Sequence, residues 1–259
     1  MLLALDIGNT ETTVGLFAGD RLEGHWRLHT TPQRTPDEWG AALTAHLTQA
    51  GHSTQEIRAA IVASVAPHVT QSLCQGITLA TTLEPTRVDA RSKLPIVLDV
   101  DEPQTVGADR IINTLAASQL FKRDTIVVDF GTATTFDCIT GDGRFIGGVI
   151  MPGLRTASDD LVRKTAQLPA TELLPPERAI GRRTEDCIRV GVLWGTADAV
   201  DGLVRRIKAE WPKGKTPQTV ATGGLAGLVA PLCKEIQSVH PDLTLIGLRM
   251  AAAALGLTW

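Results

Sequence analysis

One pattern occurs twice in this chain and limits what it can fold into more than any other feature: a short apolar run, an Asp-x-Gly turn, then a β-hairpin. The first copy is Leu2-Leu3-Ala4-Leu5 followed by Asp6-Ile7-Gly8-Asn9-Thr10. The second is Thr125-Ile126-Val127-Val128 followed by Asp129-Phe130-Gly131-Thr132-Ala133-Thr134. Short apolar runs of this kind read as buried strands, so each Asp stands where a strand ends and the backbone turns. Residues 12–17, a turn at Ala18-Gly19-Asp20 and residues 22–28 read as the first hairpin. Residues 135–140, a turn at Gly141-Asp142-Gly143 and residues 145–150 read as the second.

The chemistry this pattern suits is phosphate binding between two facing hairpins. A Gly two residues after the Asp lets the backbone approach a ligand, and Asn and Thr supply neutral donors. The Asp cannot hold phosphate itself, since both are anions; its natural partner is a cation, most simply Mg²⁺ held through water beside a nucleotide. For one isolated Asp-x-Gly, a tight turn closed by an Asx-type hydrogen bond is explanation enough. Two copies in the same context favour a duplicated nucleotide cleft.

A chain of 259 residues could be one large domain or two modest ones, and the duplication argues for two, 1–117 and 118–244. Hydrophobic residues make up 43 %, enough for ordinary cores, and no apolar run is long enough to span a membrane. Asp6 interrupts the first apolar stretch and no basic segment precedes it, so no signal peptide is expected. A net charge of −3 with acids and bases interleaved advertises neither a nucleic-acid nor a membrane surface. Cys74, Cys138, Cys187 and Cys233 lie far apart, form no Cys-x-x-Cys, and read as small hydrophobes in a reducing cytoplasm, a zinc site being the remote alternative.

Between the repeats, Thr35-Pro36-Asp37-Glu38 carries the signature of a helix start with a capping box. Trp39, Leu43 and Leu47 form that helix's apolar stripe, and Gly51 ends it. Residues 60–65 read as a strand stopped by Pro67, 69–74 as a short helix, 86–89 as a strand, and 90–105 as a surface loop rich in Pro and Asp. The loop delivers Val106-Gly107-Ala108-Asp109-Arg110 to the start of a helical run, 111–117. The helix dipole accounts for Asp109 in a first turn but not for Arg110, where a cation is mildly unfavourable. Capture of a carboxylate or phosphate by Arg110 stands beside the plainer reading of an Asp–Arg surface pair.

Beyond the second hairpin, Gly147-Gly148-Val149-Ile150-Met151-Pro152-Gly153-Leu154 ends in a Pro-Gly turn before a polar helix near 158–166, and 168–183 is irregular. Thr184-Glu185-Asp186 opens a long helix to Trp211 whose Gly191, Gly195 and Ala199 face is small enough for close packing, a subunit interface included. Residues 220–222 end a strand at Gly223-Gly224, an adenosine or ribose shelf or a packing turn; residues from 225 read as helical, and 243–257 as a buried terminal helix. Lys213-Gly214-Lys215-Thr216 resembles the end of a P-loop, but position 209 is Ala and the run precedes a strand. Gly141-Asp142-Gly143 sits in a hairpin turn and is no dinucleotide fingerprint; there is no Gly-x-Ser-x-Gly and no His-Glu-x-x-His.

The paired Asp-x-Gly hairpins with a late Thr222-Gly223-Gly224 resemble the actin- and hexokinase-type ATPase fold. Together with Gly107-Ala108-Asp109-Arg110, residues 147–153 and Ile180-Gly181-Arg182-Arg183-Thr184, they resemble, in order over nearly the whole chain, the type III pantothenate kinase family. The resemblance implies an α/β fold of two duplicated actin-like (ribonuclease H-like) domains, each a mixed sheet with helices, with a cleft between them and the terminal helix, about 245–259, packed back on the first. It implies ATP-dependent phosphorylation of pantothenate to 4′-phosphopantothenate, the first step towards coenzyme A, in a cytoplasmic homodimer. By similarity, Asp6, Ile7, Gly8, Asn9, Thr10, Glu11, Thr12 and Thr13 form the ATP phosphate loop, Asp6 lies near Mg²⁺, and Thr132 contacts ATP. Gly107, Ala108, Asp109 and Arg110 bind pantothenate, with Asp109 as base to its hydroxyl and Arg110 near its polar end. Thr184 contacts the same substrate, and Asp129 holds a monovalent cation, K⁺ or NH₄⁺. Many members carry Tyr in the substrate loop where this chain has Val100, so one polar or stacking contact to pantothenate is missing.

These roles agree with what phosphoryl transfer needs: positioning, charge neutralisation and a carboxylate aligned on the acceptor hydroxyl. No Lys stands in the first phosphate loop, which leaves more of the neutralisation to the cations. Three other readings stand beside this one. A regulatory accessory factor of the same fold need not depend on catalysis. A sugar or small-acid kinase is possible because fold does not fix substrate, though residues 107–110 tell against it. An actin-like filament protein has little chain left for assembly subdomains.

Overall fold

The computed structural model describes residues 1–212 and 214–259; Lys213, part of the P-loop-like run set aside above, lies outside the described residues. The chain divides into two compact units. Met1–Leu120, Gly143–Phe145 and Leu243–Trp259 make the first, Phe121–Asp142 and Ile146–Asp242 the second.

The first unit opens with β1 (Leu2–Ile7), β2 (Glu11–Ala18) and β3 (Arg21–His29), then α1 (Pro36–Gln49), β4 (Ala59–Ser64), α2 (Pro67–Thr81), β5 (Thr86–Val88), β6 (Val97–Leu98) and α3 (Ala108–Phe121). Its sheet runs β3-β2-β1-β4-β5, with β1–β3 an antiparallel meander and β4 and β5 parallel to β1. Side chains alternate across a strand, and β1 shows what that does here. Leu3, Leu5 and Ile7 join Trp39, Leu43 and Leu47 of α1 and Val69, Leu73 and Ile77 of α2 in one core. Leu2 and Ala4 join Ile111, Ile112 and Leu115 of α3 in another. Asp6 keeps the parity of Leu2 and Ala4, so it belongs to the face that α3 covers.

Helix α1 starts as its sequence dictates: the Thr35 hydroxyl accepts from the Glu38 N–H, and the Glu38 carboxylate accepts from the Thr35 N–H at 2.7 Å. Helix α2 is longer than the 69–74 expected. Gly76 lowers helix propensity in its middle, yet a Cβ there would lie 2.5 Å from that of Trp39. The residue that argues locally against the helix is the one that lets it close on α1. Residues 90–105 are not all loop: β6 pairs in parallel with Arg144–Phe145, a partner that no local pattern announces.

The second unit contains β7 (Thr125–Phe130), β8 (Ala133–Ile139), β9 (Arg144–Pro152) from Ile146 onward, α4 (Leu154–Lys164), α5 (Thr184–Arg189), α6 (Gly195–Glu210), β10 (Gln218–Thr222), α7 (Ala226–Val229) and β11 (Ser238–Val239). Its strands follow the order β9-β8-β7-β10-β11, the same succession as in the first unit, with β7 antiparallel to β8 and parallel to β10. Ile126, Val128 and Phe130 pack with Val200 and Val204 of α6 and with Trp211. Helix α4 begins at Leu154, four residues before the expected 158, because Gly153 serves as its N-cap and Leu154 is buried. The expected helix from 184 to 211 is interrupted: a π-helical turn, Val190–Trp194, joins α5 to α6. Between residues 225 and 242 helicity is confined to α7 and a single 3₁₀ turn.

The last helix, α8 (Leu243–Ala254), belongs to the first unit and packs Leu245, Leu248 and Ala251 into the core of Leu2, Ala4 and Ile112. Gly247 permits this, since a Cβ there would lie 2.6 Å from the Ile112 carbonyl oxygen. The Thr244 hydroxyl also donates to Asn113 Oδ1 of α3 at 2.9 Å. Among the described residues no helix is long and apolar enough to cross a membrane.

Candidate active site

The residues singled out from the sequence fall into two groups, one on each unit. Asp6, residues 7–13, Val100 and residues 107–110 belong to the first; Asp129, Thr132 and Thr184 belong to the second.

On the first unit, β1 and β2 are paired up to Ile7 and Thr12, and the turn between them is pinned by a hydrogen bond from the Gly8 N–H to the Glu11 carbonyl at 3.0 Å. Asn9, Thr10 and Glu11 are exposed at its tip, and Thr12 is buried with its hydroxyl 3.0 Å from that of Thr30. The Thr30 N–H donates to the Thr10 carbonyl at 2.8 Å, which ties the far side of the turn to the end of β3. The turn is therefore held at its base and open at its tip.

Gly107 lies at the ends of β1 and β4. The Val65 N–H continues the pairing with the Ile7 carbonyl at 3.0 Å, and a Cβ on Gly107 would stand 3.3 Å from Val65 Cγ1 and 2.5 Å from Asp109 Oδ1. Only Gly leaves the carboxylate its place. Asp109, second residue of α3, accepts the Arg110 N–H at Oδ1, 2.8 Å away, as residues in a helix's first turn do. Burial raises its carboxyl above the usual carboxylate range, against the opposing pull of the Arg110 N–H and guanidinium. A carboxyl moved in that direction is a better proton acceptor near neutral pH than an ordinary Asp. The Arg110 guanidinium lies over the Phe145 ring, 4.9 Å from its centroid. Val100 is half-buried, two residues past β6.

On the second unit, Asp129 sits beside Thr222 across the β7–β10 pair and beside Thr135 across β7–β8. Gly223, at φ +91°, passes so close that a Cβ would lie 2.3 Å from Asp129 Oδ1 and 2.7 Å from the Phe130 nitrogen. Backbone approach to the carboxylate thus requires the first Gly of Thr222-Gly223-Gly224. The Thr132 side chain is exposed while its carbonyl accepts from the Gly153 N–H at 3.1 Å and the Thr156 hydroxyl at 2.6 Å. Thr184 is exposed at the start of α5.

Two residues of consequence escaped sequence reasoning. The Thr222 hydroxyl is buried with no hydrogen-bond partner, on the strand position registered with Asp129. Phe145 lies under Arg110. An aromatic next to a hairpin turn was the only available signal for Phe145. For Thr222 there was none, since its neighbour is set by strand pairing.

A sequence profile of the type III pantothenate kinase family matches residues 2–206. The chain is 44 % identical over 254 residues to the type III pantothenate kinase of Thermomicrobium roseum, covering 97 % of this chain and 96 % of that one. It is 42 % identical to the enzyme of the same name from Moorella thermoacetica, covering 96 % and 98 %. Among solved structures it is similar to component A of (R)-2-hydroxyglutaryl-CoA dehydratase from Acidaminococcus fermentans, with a TM-score of 0.56, 12 % identity and coverage of 98 % and 96 %. It is also similar to the ROK hexokinase of Thermus thermophilus, with a TM-score of 0.50, 15 % identity and coverage of 96 % and 97 %. At such identities the structural likenesses speak for the fold alone: α/β, two mixed sheets with helices, of the hexokinase type.

Proposed function

The chain belongs to the type III pantothenate kinase family, and from that premise we propose that it phosphorylates pantothenate with ATP, the entry step of coenzyme A biosynthesis. The relatives named above are kinases by name, and the regulatory alternative gains no support from them. The observation that carries the reading to individual residues is the turn at 107–110. It sets a half-buried carboxyl of raised pKa and a guanidinium in one helix turn, at the strand ends where β1 also delivers Asp6.

In this reading the pantothenate 4′-hydroxyl gives its proton to Asp109 as its oxygen bonds to the γ-phosphorus of ATP. The bond from that phosphorus to the bridging oxygen breaks, and ADP leaves with the electron pair. Asp109 aligns the acceptor and takes the proton, Arg110 meets the acceptor's carboxylate, and Gly107 and Ala108 line its approach. Residues 6–13 cradle the phosphates with backbone N–H groups and the exposed Asn9 and Thr10. Thr132 contacts ATP, and Thr184 and Val100 complete the pantothenate contacts.

Among the described residues no three His, Cys, Asp or Glu side chains gather as a metal cluster. Mg²⁺ would be held chiefly by nucleotide phosphates and water, with Asp6 as its protein carboxylate. Asp129 with the buried Thr222 hydroxyl offers oxygen ligands of the kind K⁺ accepts, and NH₄⁺ could donate to the same atoms. Bound there, the cations would offset phosphate charge in a loop without Lys.

The reading includes a homodimer: Gly191 and Gly195 leave their helix face open, and Ile150 and Leu161 are exposed on the same unit. The reading also includes a cytoplasmic setting. The deciding experiment measures ADP release by the purified protein with Mg-ATP and K⁺ or NH₄⁺, with and without pantothenate. Pantothenate-dependent turnover is the expected result. Its absence with both cations, in folded protein, would overturn the assignment.

A further inference from the structure

Residues Gly143–Phe145, at the turn of the second hairpin, cluster with the first unit, and three bonds show what they do there. The Val97 N–H donates to the Gly143 carbonyl at 2.9 Å and the Asp99 N–H to the Phe145 carbonyl at 2.8 Å, one on each side of the β6–β9 pair. The Arg144 guanidinium binds the Asp99 carboxylate at 2.9 Å. Gly143 fits the tip beneath α3, where a Cβ would meet Ser118 Cβ at 3.7 Å.

Phe145 itself is 2 % exposed, as deeply buried as a core residue, yet it lies outside the three apolar clusters formed by the described residues. The Arg110 guanidinium lies over its ring. The first turn of a helix disfavours a cation, so Arg110 is held in place against the field of its own helix. An aromatic face can offset that cost, and a guanidinium lying on a ring presents its N–H edge, not its face, to a carboxylate.

We propose that Phe145 is a positioning residue for the acceptor: its ring fixes the Arg110 guanidinium so that the N–H edge meets the pantothenate carboxylate. The strand that carries Phe145 sets, through Asp99, the loop that bears Val100. The hairpin turn of the second repeat thus works as a brace for the acceptor side of the first unit. This rests on the pantothenate reading above, and the test separates the two.

Three proteins are compared with wild type: Phe145→Leu, Phe17→Leu as an equally buried control in the same unit, and a protein with 3,4,5-trifluorophenylalanine at 145. The last keeps the ring's shape and strips the negative charge from its face. Both changes at 145 are expected to raise KM for pantothenate about tenfold, with kcat and KM for ATP nearly unchanged. Both Leu variants lower the melting midpoint, whereas the fluorinated protein melts with wild type. An unchanged pantothenate KM in the fluorinated protein, with wild type active, overturns the brace alone. A KM rise in Phe17→Leu equal to that in Phe145→Leu overturns it as well. Wild type that turns over no pantothenate removes the functional reading and the proposal with it.

Discussion

In the first Asp-x-Gly turn four residues, 8–11, separate the last paired positions, Ile7 and Thr12; in the second, three residues, 131–133, separate Phe130 and Thr134. Both turns open with a hydrogen bond from the Gly N–H to a carbonyl just beyond, Glu11 in one and Ala133 in the other. Their surroundings then diverge. The tip of the first stays exposed at Asn9 and Thr10. The backbone of the second is clasped by Gly153, whose Cβ would fall 2.3 Å from the Thr132 oxygen and 2.4 Å from that of Gly131. One motif has become a turn exposed at its tip. The other has become a fixed platform that holds Asp129 against Gly223. The segment after each hairpin, not the motif, decides which.

The largest expected effect lies on the acceptor side. Asp109→Asn should lower kcat about 10²- to 10⁴-fold, the usual contribution of a positioned base, with little change in KM for ATP. The same variant should be the more stable protein at neutral pH. A carboxyl whose folded pKa is raised is disfavoured by the fold when ionised. That penalty fades as pH falls through the raised folded value and is gone below the unfolded value of about 3.9. Thermal melts from pH 7 to pH 4 should therefore show Asp109→Asn ahead at neutral pH and the gap closing in acid. A gap that widens in acid would mean the carboxylate, not the acid, is the form the fold prefers.

The second comparison sets packing against chemistry. Gly153→Ala forces a methyl into two carbonyl oxygens and should cost about 1–3 kcal/mol of stability, with activity falling as Thr132 shifts. Asn9→Ala in the open turn should leave the melting midpoint alone and raise KM for ATP about fivefold, the worth of one hydrogen bond. If Asn9→Ala melts early and Gly153→Ala does not, the assignment of open and clasped turns is reversed.

How much of this was legible depends on the range of the forces involved. Asp6 and Asp129 could be placed at strand ends because apolar runs and turn residues are local signals, and Thr35 and Glu38 announce their helix within four positions. Asp109 and Arg110 could be placed in a helix's first turn for the same reason. Strand β6 could not, since its partners are Arg144 and Phe145. The end of α2 was misjudged because Gly76 answers to Trp39, not to its own helix. For Gly223 a ligand shelf and a packing turn both stayed open, because nothing near it in sequence reveals that Asp129 is its neighbour.

Another variant tests the platform. Thr222→Val keeps the shape of a buried side chain and removes the hydroxyl that stands unpartnered beside Asp129. The K⁺ concentration for half-maximal activation should rise about tenfold, some 1.4 kcal/mol, while the response to Mg-ATP is retained. The hydroxyl is unpaired, so its loss should not destabilise the apoprotein. A lower melting midpoint without K⁺ and an unchanged K⁺ response would together make Thr222 a packing residue.

The smallest effect concerns the acceptor side again, where the family's Tyr is replaced. Val100 is half-buried on a loop fixed by the Asp99–Phe145 hydrogen bond and the Arg144–Asp99 pair. Its position is thus set by its neighbours and not by its own side chain, and a larger residue can be introduced without redirecting the loop. Val100→Tyr should restore a polar or stacking contact and lower KM for pantothenate about two- to fivefold, within the range of one added contact. The gain should depend on the brace. Combined with Phe145→Leu, Val100→Tyr should give less than its effect alone, because a loosened loop no longer presents the ring in one place. Full additivity of the two would mean that the loop and Arg110 are held independently, which is the outcome the hydrogen bond from Asp99 to Phe145 argues against.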